Sequence, residues 1–192
     1  MKPILEYLLG KNKPGKKQIK ATDETIGKIV KEELDKLGLD ADLNHIDTSQ
    51  VTDMSSLFAC HGGAKYLGHE YMKLNPDISL WDVSNVKEMY DMFSWCSEFN
   101  CDISNWDVHN CYNMSHMFFN ASSFNKPIGK WNVENLENAS AMFWSAFSFD
   151  QDLSSWNVKK LEKSQCFSGM FRQAKMQNHA EFYPSFKIYN LS

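Results

Sequence analysis

The amino-acid sequence predicts an α/β solenoid: an array of about five 25-residue strand–helix repeats, closed at its N-terminal end by a helix. Three observations predict it. Trp81, Trp106, Trp131 and Trp156 recur every 25 residues. A Met-Phe pair follows each of the first three, at Met92-Phe93, Met117-Phe118 and Met142-Phe143. Within each unit a short β-branched and aromatic stretch gives way to apolar residues at helical spacing. One such unit has too little apolar surface to fold alone, so it must bury its large side chains against its neighbours.

The chain divides into four parts, the first a basic leader over residues 1–21. Met1 to Lys20 hold six lysines against one glutamate, so this stretch is near +5, and the remainder of a chain whose total is −4 is near −9. Lys11 to Lys20 surround Pro14-Gly15, which suits an exposed tether; a contact with nucleic acid or an acidic partner through these lysines is the competing reading. Ile4, Leu5, Leu8 and Leu9 can form a short amphipathic turn that docks on this chain's own repeats or on another protein. Residues 22–42 read as a capping helix. Thr22-Asp23 supply its N-cap, Ile26, Ile29, Val30, Leu34 and Leu37 keep helical spacing, and Gly38 ends it.

The repeats occupy residues 43–175. Around the tryptophans the text reads DISLWDV, DISNWDV, PIGKWNV and DLSSWNV. Ile78, Trp81 and Val83 suit a brief strand. Val86, Met89, Met92 and Phe93 then fall on one face of a helix of about two turns. Asn85, Asn110 and Asn135 sit between the two, where a side-chain amide can satisfy backbone groups. Phe99, Phe124 and Phe149 keep the same step. The fourth pair, Met170-Phe171, comes three residues late, and an opening copy runs from Ile46 through Met54 to Leu57-Phe58. Between that copy and the next, the stretch from Ala59 to Tyr71 is about ten residues longer than its counterparts, an insertion. The expected product is leucine-rich-repeat-like, with Trp and Met-Phe in place of the leucines. Met176 to Phe186 breaks the pattern, so residues 176–192 read as a C-terminal cap.

The pattern FN-x-DIS-x-WDVSNV-x-x-M-x-x-MF resembles the bacterial surface protein 26-residue repeat, the DUF285 or BspA-type leucine-rich-repeat-like family. The resemblance covers Asn44 to Phe171, and Leu43 to Phe58 (LNHIDTSQVTDMSSLF) is similar to the opening repeat of such arrays. It implies a non-enzymatic surface or interaction protein of a bacterium or its mobile elements, in some cases adhesin-like. The opening MKPILEYLLGKNK also resembles short leaders on cytosolic proteins of gut-bacterial phages.

Composition narrows the function classes. Hydrophobic residues at 43% and charged residues at 23% describe a folding chain, and a net charge of −4 disfavours a nucleic-acid binder. No apolar run reaches the roughly 18 residues that cross a bilayer. Met1 to Gly10 show neither a long apolar region nor a small-residue cleavage site, so no secretory signal is expected. Cys60, Cys96, Cys101, Cys111 and Cys166 form an odd set without a CxxC pair, which suits reduced thiols. The expected location is therefore the cytoplasm, with the cell surface or a virion as the alternative.

The chemistry-bearing candidates are few. Cys60-His61, with Gly62-Gly63, His69 and Glu70 nearby, could form a thiol–imidazole pair or, through Cys60, His61 and His69, ligate zinc. Residues adjacent in sequence rarely point at one another, so this thiol or metal enzyme reading is the lesser alternative. Cys111 fills the slot of Val86 and Leu136 and reads as a core residue. Asp82 and Asp107 share a column with Asn132 and Asn157, which suits a structural hydrogen bond better than catalysis or a calcium ladder. No P-loop, GxGxxG, HExxH or GxSxG occurs. We expect no enzyme, no metal and no cofactor.

Repeat proteins bind through positions that vary over a fixed scaffold. Outside the shared columns stand Tyr90, Trp95, His116, Phe119 and Trp144, aromatic groups of the kind enriched at binding hot spots. His61, Tyr66 and His69 in the insertion complete the candidate partner-binding set, since inserted loops often gather on a binding face. Packing between neighbouring units is the competing role for each aromatic. The expected core is Trp81, Trp106, Trp131 and Trp156 with Met92, Phe93, Met117, Phe118, Met142 and Phe143. The sequence thus predicts non-catalytic recognition of an unidentified protein partner by a bacterial or phage protein, with a cell-surface or virion adhesin as the alternative.

Overall fold

The computed structural model describes residues 18–164 and 166–185. The basic leader up to residue 17 and the end of the expected C-terminal cap, residues 186–192, lie outside them. Strand β1 (Ile19–Lys20) pairs in parallel with β2 (Ile46–Asp47), Ile19 opposite Ile46. Helix α1 spans Ile26–Leu37 and α2 spans Lys159–Ser164. Short 3₁₀ turns cover His69–Tyr71, Lys175–Asn178 and Ala180–Phe182.

The expected leucine-rich-repeat-like α/β solenoid of about five strand–helix units does not form. Regular structure among the described residues is limited to two α-helices, one two-stranded sheet and these 3₁₀ turns. The segments expected to be helical, such as Val86 to Phe93, are chains of turns. Their tryptophan stretches make no extended strand. No helix among the described residues is long and apolar enough to cross a membrane.

The backbone shows why turns replace helices. Asp91 and Trp95 take left-handed φ values of 60° and 65°, and His116 with Asn120 and Ala141 with Ser145 repeat this. A left-handed residue interrupts the right-handed helix and costs roughly 1–2 kcal/mol for a side chain other than glycine. Alternate amides are turned sideways: Met89, Asp91, Phe93 and Trp95 donate to the carbonyls of Asn113, Ser115, Met117 and Phe119 at 2.8–2.9 Å. Between them, Met92, Ser94 and Cys96 close turns on Met89, Asp91 and Phe93. The lateral bonds exist only when copies lie side by side, and they offset the backbone cost.

Single parallel bridges mark the register: Asp53 to Glu88, Glu88 to Asn113, Asn113 to Asn138, and Asn138 to Cys166. The first of these steps spans the insertion and the last spans α2, so α2 takes up the three extra residues of the fourth unit.

Side chains reinforce the register from within. The indole N–H of Trp81, Trp106, Trp131 and Trp156 donates to the carbonyl of Leu43, Ile78, Ile103 and Ile128 respectively, at 3.0–3.3 Å. Phe58, Phe93, Phe118, Phe143 and Phe171 form one stacked file, with centroids 5.4–5.9 Å apart. Phe99, Phe124 and Phe149 form a second file, 3.9–4.0 Å from the first. Asn85, Asn110 and Asn135 each donate a side-chain N–H to a carbonyl of the preceding copy, at Ser49, Ser84 and His109. A second amide column passes from Asn75 to Asn100 to Asn125, each Oδ1 taking the backbone N–H one copy on.

At the N-terminal end α1 lays Ile26, Val30 and Leu34 on this core and stops at Gly38, whose φ is 96°. Asp23, expected to cap α1, does not. Its carboxylate accepts the backbone N–H groups of Thr52 and Asp53 and the Thr52 hydroxyl, so it caps the first turn segment instead. Glu33 of α1 meets His45 Nε2 at 2.9 Å, tying the helix to the start of the repeats.

Candidate functional site

The turn segments leave a row of aromatic side chains in contact with one another along the surface. Tyr90 and Trp95 are among the most exposed large hydrophobic residues. The ring of Tyr90 meets His116 edge-on at 5.8 Å, and His116 lies 5.6 Å from Phe119. Phe119 in turn lies 6.4 Å from Trp95 and 5.9 Å from Trp144. Arg172 completes the row with its guanidinium 4.4 Å from the Trp144 ring centroid. Five of the candidates named from sequence are therefore contiguous across three copies, and the arginine extends them to a fourth. His116 Nδ1 is enclosed and has no hydrogen-bond partner among the described residues.

Arg172 was missed, although a signal existed. It is the sole arginine of the chain and stands in the same column as Phe119 and Trp144. Tyr112 and Phe147 are also exposed and were not singled out. Phe147 is detectable by the same internal comparison, since its counterparts are Ser97 and Ser122.

The insertion candidates lie elsewhere. Tyr66 packs over Gly27 of α1, filling the space that a Cβ at residue 27 would need. Leu67 and Tyr71 are buried, and the Tyr71 hydroxyl bonds to Asp35 and Lys31 of α1. The insertion is thereby docked on the helix rather than free. His61 Nε2 pairs with Asp91 Oδ2 at 2.7 Å, where Ser56 Oγ also reaches. His69 is exposed.

Cys60 and His61 do not face each other. The buried Cys60 thiol points at the Phe58 carbonyl, 3.0 Å away, while the imidazole turns outward to Asp91. Burial pushes the Cys111 thiol up to about 12 and that of Cys101 up to about 11, so both are held protonated at neutral pH. Asp82, Asp107 and Asn132 each accept the backbone N–H two residues on, forming local side-chain turns.

Gly169 supports the end of the aromatic row, with φ at 66° and Trp144 ring atoms 3.1 Å from where a Cβ would sit. Ala141 tolerates the same backbone one copy earlier, which bounds the penalty of a methyl group. Gly169→Ala is expected to cost about 1 kcal/mol, a drop in melting temperature of roughly 2–4 °C, measurable by thermal denaturation.

Fold and site together define a protein of laterally bonded turn segments bearing an aromatic row at its surface. A family model described as "Mycoplasma protein of unknown function, DUF285" matches residues 30–66 and 64–182, and the chain belongs to this family. No curated protein and no solved structure matches it.

Proposed function

We propose that this chain is a non-catalytic recognition protein that binds a protein partner through the row formed by Tyr90, Trp95, His116, Phe119, Trp144 and Arg172. The observation that carries this reading is the contiguity of the row. Side chains that vary between copies touch one another at the surface, on backbone fixed by hydrogen bonds to both neighbours. A rigid display loses little conformational freedom on binding, and aromatic and arginine side chains are those most often found at hot spots. The proposed setting is the cytosol of a bacterium or of a phage-infected cell. The repeat's resemblance to BspA-type surface proteins supports a second setting, the cell surface or the virion.

The test compares partner capture from native-host lysate by the intact chain and by a Phe119→Ala/Trp144→Ala variant, with fractionated envelope and virions as parallel sources. A partner held by the intact chain is expected to bind the variant at least about thirtyfold more weakly, the effect of losing a hot spot worth 2 kcal/mol. Equal capture by the two forms, with their melting temperatures matched, would refute the assignment of the row.

A further inference from the structure

Two cysteines meet inside the protein in a way that neither position alone suggests. The Sγ atoms of Cys60 and Cys96 are 3.8 Å apart, both fully buried, and each is within 3.1 Å of the same carbonyl, that of Phe58. Each is also a departure from its own column. The counterparts of Cys96 one, two and three copies on are Ala121, Ala146 and Ala174. The counterparts of Cys60 are Trp95, Asn120, Ser145 and Gln173, all with left-handed backbone. Cys60 alone in that column is not left-handed, and its side chain turns inward. The two departures occur where they face one another, between the opening copy and the second.

We infer that Cys60 and Cys96 are a disulfide site, joining the root of the insertion to the next copy when the protein meets an oxidising thiol–disulfide environment. The reaction is an exchange with a small-molecule disulfide. The Cys60 thiolate attacks one sulfur of that disulfide, forming a mixed disulfide and releasing one thiolate. The Cys96 thiolate then attacks Cys60 Sγ, closing the Cys60–Cys96 bond and releasing the second. The two cysteine protons pass to the two departing thiolates, so the protein loses two electrons and two protons and the reagent gains them. Closing the bond requires the sulfurs to approach from 3.8 Å to about 2.0 Å.

Access is through the insertion. Exposed Gly62 and Gly63 follow Cys60 almost directly, and local opening of this segment is the route by which Cys60 would react first. Burial raises the Cys96 thiol well above its ordinary value, and it reacts in the second step, within the already formed mixed disulfide. The bond would fix residues 60 and 96 together and restrict the unfolded chain across the segment between them. This inference does not rest on the partner-binding row.

The experiment uses the full chain, fully reduced and then equilibrated with oxidised and reduced glutathione at the poise of an oxidising compartment. Free thiols are alkylated in acid-quenched samples, and peptides are mapped by mass spectrometry. The expected product is one linked pair, Cys60 with Cys96, two hydrogens lighter, with Cys101, Cys111 and Cys166 alkylated. The oxidised form should melt on the order of 5 °C or more above the reduced form. Cys60→Ala and Cys96→Ala should each abolish the link and the shift. Recovery of Cys60 and Cys96 as alkylated thiols from the oxidised chain, or links spread equally over all five cysteines, would overturn the inference. So would a melting shift that persists in both variants.

Discussion

Phe118→Ala will destabilise the protein by about 3–5 kcal/mol, the range for removing a buried aromatic ring from a packed core. Phe118 is fully buried, stacked between Phe93 and Phe143 at 5.6 and 5.5 Å and against Phe124 at 4.0 Å. The cavity would open where both phenylalanine files meet, and the lateral hydrogen bonds on either side limit how far the backbone can close over it. Chemical denaturation followed by tryptophan fluorescence should show the loss as a lower midpoint. Phe147→Ala is the matched control: its ring is 59% exposed, and the change should stay within about 0.5 kcal/mol. A loss below about 1 kcal/mol for Phe118→Ala would show that the phenylalanine files are not what holds the copies together.

Asp23→Ala should cost about 2 kcal/mol, because it removes one charged acceptor that serves two backbone N–H groups and a hydroxyl. Those donors stand at the start of the first turn segment, where no earlier copy supplies carbonyls. Burial pushes the Asp23 carboxyl up, but the hydrogen bonds from Thr52 and Asp53 outweigh it and hold it below the usual aspartate value. Glu33 behaves alike: burial raises it, while Lys36 and His45 hold it low. Both groups have folded values below their unfolded ones. Their contribution is complete above the unfolded values, about 4 to 4.5, and is lost as pH falls through the folded values. Stability of the native chain should therefore decline below about pH 4, and Asp23→Ala should flatten that decline. Denaturant midpoints measured from neutral to acid pH test this; an unchanged slope in the variant would remove Asp23 from the account.

Much of the interior was legible because the repeat advertises it. Trp81, Trp106, Trp131 and Trp156 and the Met-Phe pairs sit in columns that only stacking could bury. The local backbone was not legible. Val86, Met89, Met92 and Phe93 have the spacing of a helix face, but successive turns closed by i to i−3 bonds place the same residues inward. What separates the two is the sign of φ at Asp91 and Trp95, and a tryptophan gives no hint of a left-handed backbone. Gly169 is the one glycine in those columns; Asp91, His116 and Asn120 are types that also take this backbone, but their neighbours in the columns are not. Asp23 was misassigned for a related reason: its side chain was expected to serve its own helix, whereas unpaired amides 29 and 30 residues away competed for it.

The same division holds at the surface. Tyr90, Trp95, His116, Phe119 and Trp144 were identified from variation between copies, but their mutual contact, and the place of Arg172 beside Trp144, depend on how the copies are offset. His61 and Tyr66 looked equally free in the insertion, yet one is held by Asp91 and the other covers Gly27. The Cys60–Cys96 contact crosses 36 residues and two copies, a separation at which sequence spacing carries no distance.

The 25-residue period, the composition of the core and the positions free to vary are written in the order of the residues, because burial demands apolar side chains wherever the chain returns to the same place. That the returning segments are turns rather than helices follows from how the copies lie against one another. A backbone amide turned sideways finds no partner within its own unit. It finds one when the next copy lies beside it, and that gain exceeds what local helix formation offers.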